Sequence, residues 1–248
     1  MASAAVTATK MRYGCCPNIF LSSSCPNRPF GRELGSNSGR SMSDTKKNES
    51  SGRRSEIVAL AMELFLQDGF SGTSMSTVAK ASGISKASLY HHFHSKEALF
   101  VACVTEGYGT SLDELRVIVT RDDKSPADKM RMAIDALYRS SINSPVGRMS
   151  PLIAEVSRSF PNVARAFHQD YIAPQEALVG EILDEGIASG QFRDVDKLSF
   201  FHQLLGPIVT LSLSRETFAT FDDLDEQFPV QHLQQHHTEA CMRHLLIA

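Results

Sequence analysis

The most constraining feature of this sequence is a series of short helical segments between residues 53 and 100, separated by glycine-containing turns. From Arg53 onward, apolar residues recur at spacings of three and four, the period of a helix with one buried face. They are Ile57, Leu60, Ala61, Leu64 and Phe65. Asp68 and Gly69 are expected to end this first helix, since glycine is common just beyond a helix end.

Two shorter helices are expected next, joined by a tight turn. Thr73 or Ser74 is suited to cap the second helix, and Gly83 interrupts the apolar pattern after it. Ser85 is suited to cap a third helix, and Ser95 a fourth one that continues beyond residue 100. Two short helices joined by a glycine turn form a helix-turn-helix, which places its second helix in the major groove of DNA.

A generic three-helix core would show the same periodicity, but the exposed face of the third helix favours nucleic-acid binding. Its side chains offer hydrogen-bonding groups of a length suited to base edges and phosphates. They are Lys86, Ser88, Tyr90, His91 and His92. No acidic residue occurs from Ser82 to Lys96, so no carboxylate would face a phosphate.

The charge of the chain is unevenly distributed. The formal net charge of −3 combines +4 in residues 1–52, +1 in 53–100 and −8 in 101–248. This asymmetry suggests a polyanionic partner for the first part only, although a solvated acidic surface on the second part explains it equally well.

Cysteine usage and hydropathy exclude several classes of protein. The five cysteines are Cys15, Cys16, Cys25, Cys103 and Cys241, an odd number without a CxxC pair, so neither a disulfide framework nor a zinc site is predicted. Cys103 and Cys241 lie in apolar helical patterns and are expected in the core. No apolar run is long enough to predict a membrane span.

Residues 1–52 are rich in Ser, Asn, Gly, Pro and Arg and show no sustained periodicity. A disordered tail is the first interpretation. A translation start at Met42, which would leave 42–52 as a flexible arm, and an organelle transit peptide are the alternatives.

The segment TSMSTVAKASGISKASLYHHFHSKEALF, at 73–100, resembles the DNA-binding domain of the TetR family of bacterial transcriptional regulators. The preceding AMELFLQDGFSGTS resembles the family's first helix and its G-F-x-x-T-S turn, so the resemblance covers about 50 residues. It implies an all-α fold: an N-terminal three-helix DNA-binding domain at 53–100 with its helix-turn-helix at about 74–93, and a C-terminal ligand-binding and dimerisation domain at 101–248.

The resemblance also implies a set of DNA-contacting residues. Thr73 or Ser74 would bind a phosphate, as would Tyr90 and Lys96, while Lys86, Ala87 and Ser88 would face base edges. The full set is Thr73, Ser74, Ser85, Lys86, Ala87, Ser88, Tyr90, His91, His92 and Lys96. Leu89 and Phe93 would lie in the core.

From residue 101 onward the pattern stays helical, with breaks at Asn143-Ser144-Pro145, Pro161 and Gly190. A long helix is expected at about 162–189 with a kink at Pro174, and another one is expected to begin with Asp194 as its cap. The segment 198–213 is apolar on more than one face, which predicts burial against a second subunit.

For this second region the resemblance implies a homodimer whose four-helix bundle uses about 195–214 and 230–247, and a small-molecule pocket. PLIAEVSRSFPNVARAF, at 151–167, resembles multidrug-type regulators of the family. The pocket candidates, each of which also fits an ordinary core position, are Leu115, Met132, Leu137, Met149, Ile153, Phe167, Tyr171 and Phe201.

No nucleophile, phosphate-loop, dinucleotide or metalloprotease motif occurs, so no enzyme activity, cofactor or metal is expected. His232 and His236 could share a metal, but their glutamine neighbours favour a solvated or interface role. The function expected is a cytoplasmic, nucleoid-associated regulator that a small-molecule inducer releases from a palindromic operator. Its partners would be double-stranded DNA, a second copy and an unknown effector, with no membrane. The rivals are a scaffold without DNA binding and an enzyme with an appended DNA-binding module.

Overall fold

The computed structural model describes residues 42–142, 144–145 and 147–247, with side chains from Gly52 onward except Tyr108. The predictions for residues 1–41, including those for Cys15, Cys16 and Cys25, lie outside the described residues. The described chain forms one compact unit. It is helical almost throughout, which confirms the predicted all-α class.

The first helix is longer than the sequence predicted. Helix α1 spans Met42–Gly72, so residues 42–52 are helical and do not form the predicted flexible arm. No proline occurs in this stretch, and adding turns to a helix that is already nucleated costs little free energy. The regular part of α1 ends at Gly69, which has a φ of 72° that L-residues with a side chain rarely adopt.

The next three helices begin at the residues that the sequence indicated. Helix α2 spans Met75–Ala81, α3 spans Lys86–His92 and α4 spans Lys96–Val119. Ser74, Ser85 and Ser95 are the N-caps, and each side chain accepts a hydrogen bond from the backbone N–H three residues later at 3.1 Å. Gly83, with a φ of 65°, makes the turn between α2 and α3.

The remaining helices follow the predicted breaks, with two differences. Helix α5 spans Pro126–Ile142, α6 spans Ser150–Ser159, α7 spans Pro161–Phe167, α8 spans Ala173–Ala188, α9 spans Lys197–Thr217, α10 spans Leu224–Gln227 and α11 spans Val230–Leu245. The expected long helix is divided into α7 and α8 by a π-helical turn at His168–Ile172. Pro174 lies directly after this turn, in the first turn of α8. Asp196, and not Asp194, caps α9 through a bond from Ser199 N of 2.8 Å.

Two apolar clusters form the core of the described chain. The first joins α1–α4 to α6, α7 and the π-helical turn, and the second joins α4, α5, α8, α9 and α11. Helix α4 contributes to both, because it runs without interruption through the predicted domain boundary at residues 100 and 101. That division into two domains therefore stays a prediction.

The last helix is fastened to the rest of the fold by backbone hydrogen bonds. Arg193 N donates to Leu245 O at 2.8 Å, and Ile247 N donates to Gln191 O at 3.1 Å. These bonds flank an isolated antiparallel bridge between Phe192 and Leu246. The end of α11 is thus held next to the turn that follows α8.

Candidate nucleic-acid interface and effector cavity

Helix α3 has one buried side and one exposed side. Leu89 and Phe93 are buried, as the sequence predicted, and they anchor the helix on the first core cluster. Lys86, Ala87 and His91 are exposed, as is Tyr90. The anchored helix therefore presents its polar side chains to solvent in a fixed orientation.

Ser88, His92 and Ser85 also belong to this face, and they differ in how far they are exposed to solvent. Ser88 and His92 are half-buried, whereas Ser85 is exposed. The Ser85 hydroxyl accepts the cap bond from Ser88 N, and its proton remains free to be donated to another group. Lys86 Nζ lies 6.0 Å from the centre of the Tyr90 ring, and both groups face the same side of α3.

Thr73 does not lie where a phosphate contact requires it. Its side chain is buried, and its hydroxyl lies 3.1 Å from Leu64 O and 2.9 Å from Gly69 O, so its proton is engaged inside the fold. Of the two residues proposed for this role, only Ser74 is exposed, at the N-terminus of α2. The hydroxyl of Thr73 stabilises the α1–α2 turn.

Lys96 has an internal role that the sequence did not indicate. Its ammonium donates to Phe70 O at 2.7 Å and to Thr73 O at 3.0 Å, and it lies 4.2 Å from the centre of the Phe70 ring. Two of its three N–H bonds are therefore committed to holding α4 against the α1–α2 turn. The predicted phosphate contact would have to use the remaining one.

Two arginines of α1 that the sequence did not indicate as site residues hold segments next to α3. Arg53 Nη2 donates to Ser82 O at 2.8 Å, in the turn before α3. Arg54 forms an ion pair of 2.6 Å with Glu106, and its guanidinium carbon lies 4.4 Å from the centre of the Phe93 ring. The sequence gives no signal for these two bonds except that both arginines precede the first apolar stripe. The reason is that Ser82 lies 29 residues from Arg53, and Glu106 lies 52 residues from Arg54.

A cavity of about 230 Å³ lies between α6, the π-helical turn, α8 and α9. Its lining consists of Ser141, Ser150, Ile153, Ala154, Phe167, Tyr171, Ile172, Gln175, Leu205, Val209 and Ser212. Three of the eight pocket candidates line it: Ile153, Phe167 and Tyr171. The polar lining residues were missed, since hydrophobic periodicity carries no signal for them.

The other five pocket candidates do not line this cavity. Leu115, Leu137 and Phe201 are buried in the second core cluster, and Met132 packs on that cluster. Met149 is buried in the first cluster. The structure therefore places these five residues in the packed interior, because apolar residues at helical spacing face the nearest core rather than a particular cavity.

Tyr171 is the main polar group in the wall of the cavity. Burial raises the pKa of its phenol, while the neighbouring side chains of Ser111, Ser140, Gln175 and Ser141 act to lower it. Ser111 belongs to α4, the helix that also carries Lys96. The cavity wall is thus adjacent to the helix that holds the helix-turn-helix.

A second polar cluster joins α5 to α11. The hydroxyl of Tyr138 lies 3.0 Å from His237 Nδ1, and Cys241 Sγ lies 3.3 Å from His237 Nε2. Burial raises the pKa of Tyr138 to about 12 and that of Cys241 to about 11, and it lowers the pKa of His237. At neutral pH all three groups are therefore uncharged.

The remaining predictions for cysteine and histidine concern the burial of Cys103 and Cys241 and a metal site at His232 and His236. Cys103 and Cys241 are buried, as predicted. The rings of His232 and His236 lie 4.5 Å apart on α11, but no group of three metal-ligating side chains occurs among the described residues. Within the same part of the chain, no helix is both long and apolar enough to cross a membrane.

Helices α2 and α3 form a helix-turn-helix whose second helix exposes an acid-free polar face. Residues 57–103 match the family model described as "Bacterial regulatory proteins, tetR family". The chain is 30% identical over 132 residues to the HTH-type transcriptional regulator RutR of Escherichia coli K12, and the match covers 53% of this chain and 54% of RutR. It is 37% identical over 75 residues to the regulator UidR of the same strain, covering 30% and 38% of the two chains.

Solved structures with the same fold extend over nearly the whole described chain. A TetR transcriptional regulator from Chloroflexus aurantiacus superposes with a TM-score of 0.66 at 20% identity, covering 81% of this chain and all of the other. FadR of Bacillus subtilis, solved in complex with stearoyl-CoA, has a TM-score of 0.64 at 17% identity, covering 76% and 97%. These structures establish the fold of both regions.

The matched segment, residues 57–103, contains the helix-turn-helix and is similar to the N-terminal domain of the TetR family. The chain spans 54% of the length of RutR and 38% of the length of UidR.

Proposed function

We propose that this protein is a ligand-responsive repressor that binds a palindromic operator as a homodimer. The observation that carries the proposal is the exposed face of α3, on which Lys86, Ser88 and Tyr90 project from a helix anchored by Leu89 and Phe93. The acid-free segment from Ser82 to Lys96 leaves nothing on this face to repel phosphates.

Lys86, Ala87 and Ser88 would read base edges in the major groove, because they occupy the first turn of α3. Ser74, at the exposed start of α2, and Tyr90 would bind phosphates through their hydroxyl groups. His91 and His92 would contact the DNA backbone or bases beyond them. Thr73 is not proposed as a contact, and Lys96 is proposed mainly as the residue that positions α4.

A second copy of the chain would cover an apolar stripe on α9. Leu198, Val209 and Leu213 recur at helical spacing and are 52%, 49% and 46% exposed. An exposed apolar stripe of this kind along a helix of an otherwise packed fold is typical of an interface. Pairing through α9 and α11 would place two copies of α3 in successive major grooves, roughly 34–36 Å apart.

Ligand binding would act through α4. This helix is tied to the α1–α2 turn by Lys96 at one end and lies beside Tyr171 of the cavity through Ser111 further along. A molecule that fits the cavity better in one position of α4 would favour that position and change the spacing of the recognition helices. The inducer would then weaken operator binding.

The DNA-binding site is tested by gel shift of the purified full chain on fragments of its own genome, followed by substitution. Lys86→Ala should weaken binding about tenfold, since one good base contact contributes about 1–3 kcal/mol. Tyr90→Phe should weaken binding to all sequences alike. Lys124→Ala, which removes the same charge from the partly exposed turn after α4, is the control and should bind like the parent.

Unchanged DNA binding by both variants would contradict the assignment of α3 to the DNA interface. Failure of the parent chain to bind any genomic fragment at low salt would favour the scaffold alternative, in which the fold and the dimer remain but DNA binding is lost.

A further inference from the structure

Gln175 on α8 is a buried polar residue with an unused hydrogen-bond donor. Its exposed fraction is 1%, and its side-chain Nε2 has no hydrogen-bond partner in the structure. Buried polar groups are almost always paired, because leaving a donor unpaired in the interior costs stability. Gln175 lines the cavity between α6, α8 and α9, so a molecule in that cavity could accept its hydrogen bond.

Two of the serine hydroxyl groups in the cavity wall are less available as donors. Ser150 Oγ donates to Gly147 O at 3.0 Å, and Ser212 Oγ donates to Ser141 O at 2.8 Å. Both protons are therefore already used by backbone carbonyls. Unlike these two hydroxyl groups, the amide of Gln175 has a donor nitrogen that no acceptor in the structure engages.

The cavity wall carries no formal charge. Its eleven lining residues are apolar or neutral polar ones, with Ile153, Phe167 and Leu205 forming its apolar part. A charged group buried against such a wall would lose its hydration without gaining a counter-charge. At about 230 Å³ the cavity is also smaller than the roughly 300–1,000 Å³ that usually holds drug-sized ligands.

We propose that this cavity binds a small uncharged molecule with an apolar body and one acceptor oxygen, which receives the hydrogen bond from Gln175 Nε2. This inference rests on the proposed function, because it assigns a chemical class to the effector of that same site. It excludes multiply charged ligands such as the stearoyl-CoA bound to FadR of Bacillus subtilis, whose phosphates would find no cation in the wall.

The test measures binding of matched probes to the full chain without DNA, by calorimetry and ligand-observed NMR. The neutral carbonyl probes are acetophenone, benzamide and cyclohexanone. Cumene and methylcyclohexane are the hydrocarbons of similar shape, and benzoate is the anion. At least one carbonyl probe should bind about tenfold more tightly than its hydrocarbon, as one additional hydrogen bond allows, and benzoate should not bind. No carbonyl preference in any series, or tighter binding of benzoate, would overturn the proposal.

Substitution of Gln175 separates ligand recognition from a structural role. Gln175→Met keeps the length of the side chain but removes the donor, so the carbonyl preference should fall below twofold while the melting temperature of the unliganded chain rises. Glu181→Met, an exposed position on the same helix, should leave the preference unchanged. A lower melting temperature with an intact preference would show that Gln175 serves only the fold. Gln175→Leu provides a second variant without a donor, which should likewise lower the carbonyl preference below twofold.

Operator binding is measured separately by gel shift, so the two proposals can fail independently. A carbonyl preference in a chain that binds no DNA would retain the ligand class and reject the regulatory function. Normal DNA binding with no carbonyl preference would reject the ligand class alone.

Discussion

The two regions of this molecule secure their helices in different ways. In the helix-turn-helix, α2, α3 and α4 each begin with a serine whose side chain caps the helix, and glycines with positive φ close the turns after α1 and α2. In the second region, α5 and α9 begin with similar caps from Ser125 and Asp196. The other helices α6, α7, α8 and α11 begin without a side-chain cap bond. Contacts between distant residues hold those helices, such as the bond from Lys129 Nζ to Glu185 of 2.7 Å and the bridge between Phe192 and Leu246.

Each region is therefore sensitive to a different kind of substitution. A local cap joins residues that are close in sequence, so changes elsewhere in the chain do not remove it. The caps of the first region hold α3 in place with its polar face exposed. The long-range contacts of the second region surround a cavity and allow helices to move. The stability of that region then depends on single close approaches between distant residues.

The largest effect is expected where the two regions meet. The ring of Phe70 packs on Phe65, Phe100 and Phe160, with centroid distances of 5.8, 5.3 and 5.5 Å, and Phe160 lies between α6 and α7. Phe70→Ala should lower the free energy of unfolding by about 4 kcal/mol, as measured by urea denaturation. Phe221→Ala, at an exposed position, should cost less than 1 kcal/mol. Equal effects of the two changes would contradict this role of Phe70.

The next effect concerns a close approach in the second region. A methyl group at Gly186 would run into the Phe192 ring, which is buried. Gly186→Ala should therefore cost about 2–3 kcal/mol through overpacking. Gly180→Ala on the same helix meets no atom within 4 Å and should stabilise the protein by up to about 1 kcal/mol. Thermal unfolding of the pair gives the sign directly, and a stabilised Gly186→Ala would refute the close approach.

A smaller effect is expected from a local cap in the first region. Ser85→Ala removes the acceptor for Ser88 N and should cost about 1 kcal/mol. Ser88→Ala leaves that bond in place, so it should alter operator binding with little change in unfolding free energy. The comparison would fail if Ser88→Ala were the more destabilising of the two.

The smallest effect is a pH dependence in the second region. The pKa of His237 is lowered by burial, so below about pH 6.5 the unfolded chain binds a proton that the folded chain takes up only at lower pH. The stability associated with neutral His237 is therefore complete above that pH and is lost as the pH falls through the lowered pKa. His237→Gln should reduce the fall in melting temperature between pH 7.5 and 5.5 by about 1–2 °C. His236→Gln on the same helix is the exposed control, and an identical reduction there would exclude His237 as the cause.

Much of the first region could be predicted from the sequence because its signals are local. A cap, the turn glycine and the buried stripe lie within a few residues of each other, so their spacing indicated α2, α3 and the start of α4. The same reasoning identified most exposed residues of α3. It missed the extension of α1 to Met42, since a polar segment continues a helix without any apolar signal.

Only the tertiary structure decided the roles that depend on residues far apart in the chain. Lys96 meets the carbonyl of Phe70 across 26 residues, and Thr73 turns inward to Leu64 and Gly69. The cavity combines Ser141, Ile153, Gln175 and Ser212 from four separate helices. Sequence by itself determined the helical class, the helix-turn-helix and the polar face of α3, because periodicity and capping act over short distances. The contacts of Lys96, Thr73 and Gln175 depend on how the helices pack, because packing brings together side chains that are far apart in the sequence.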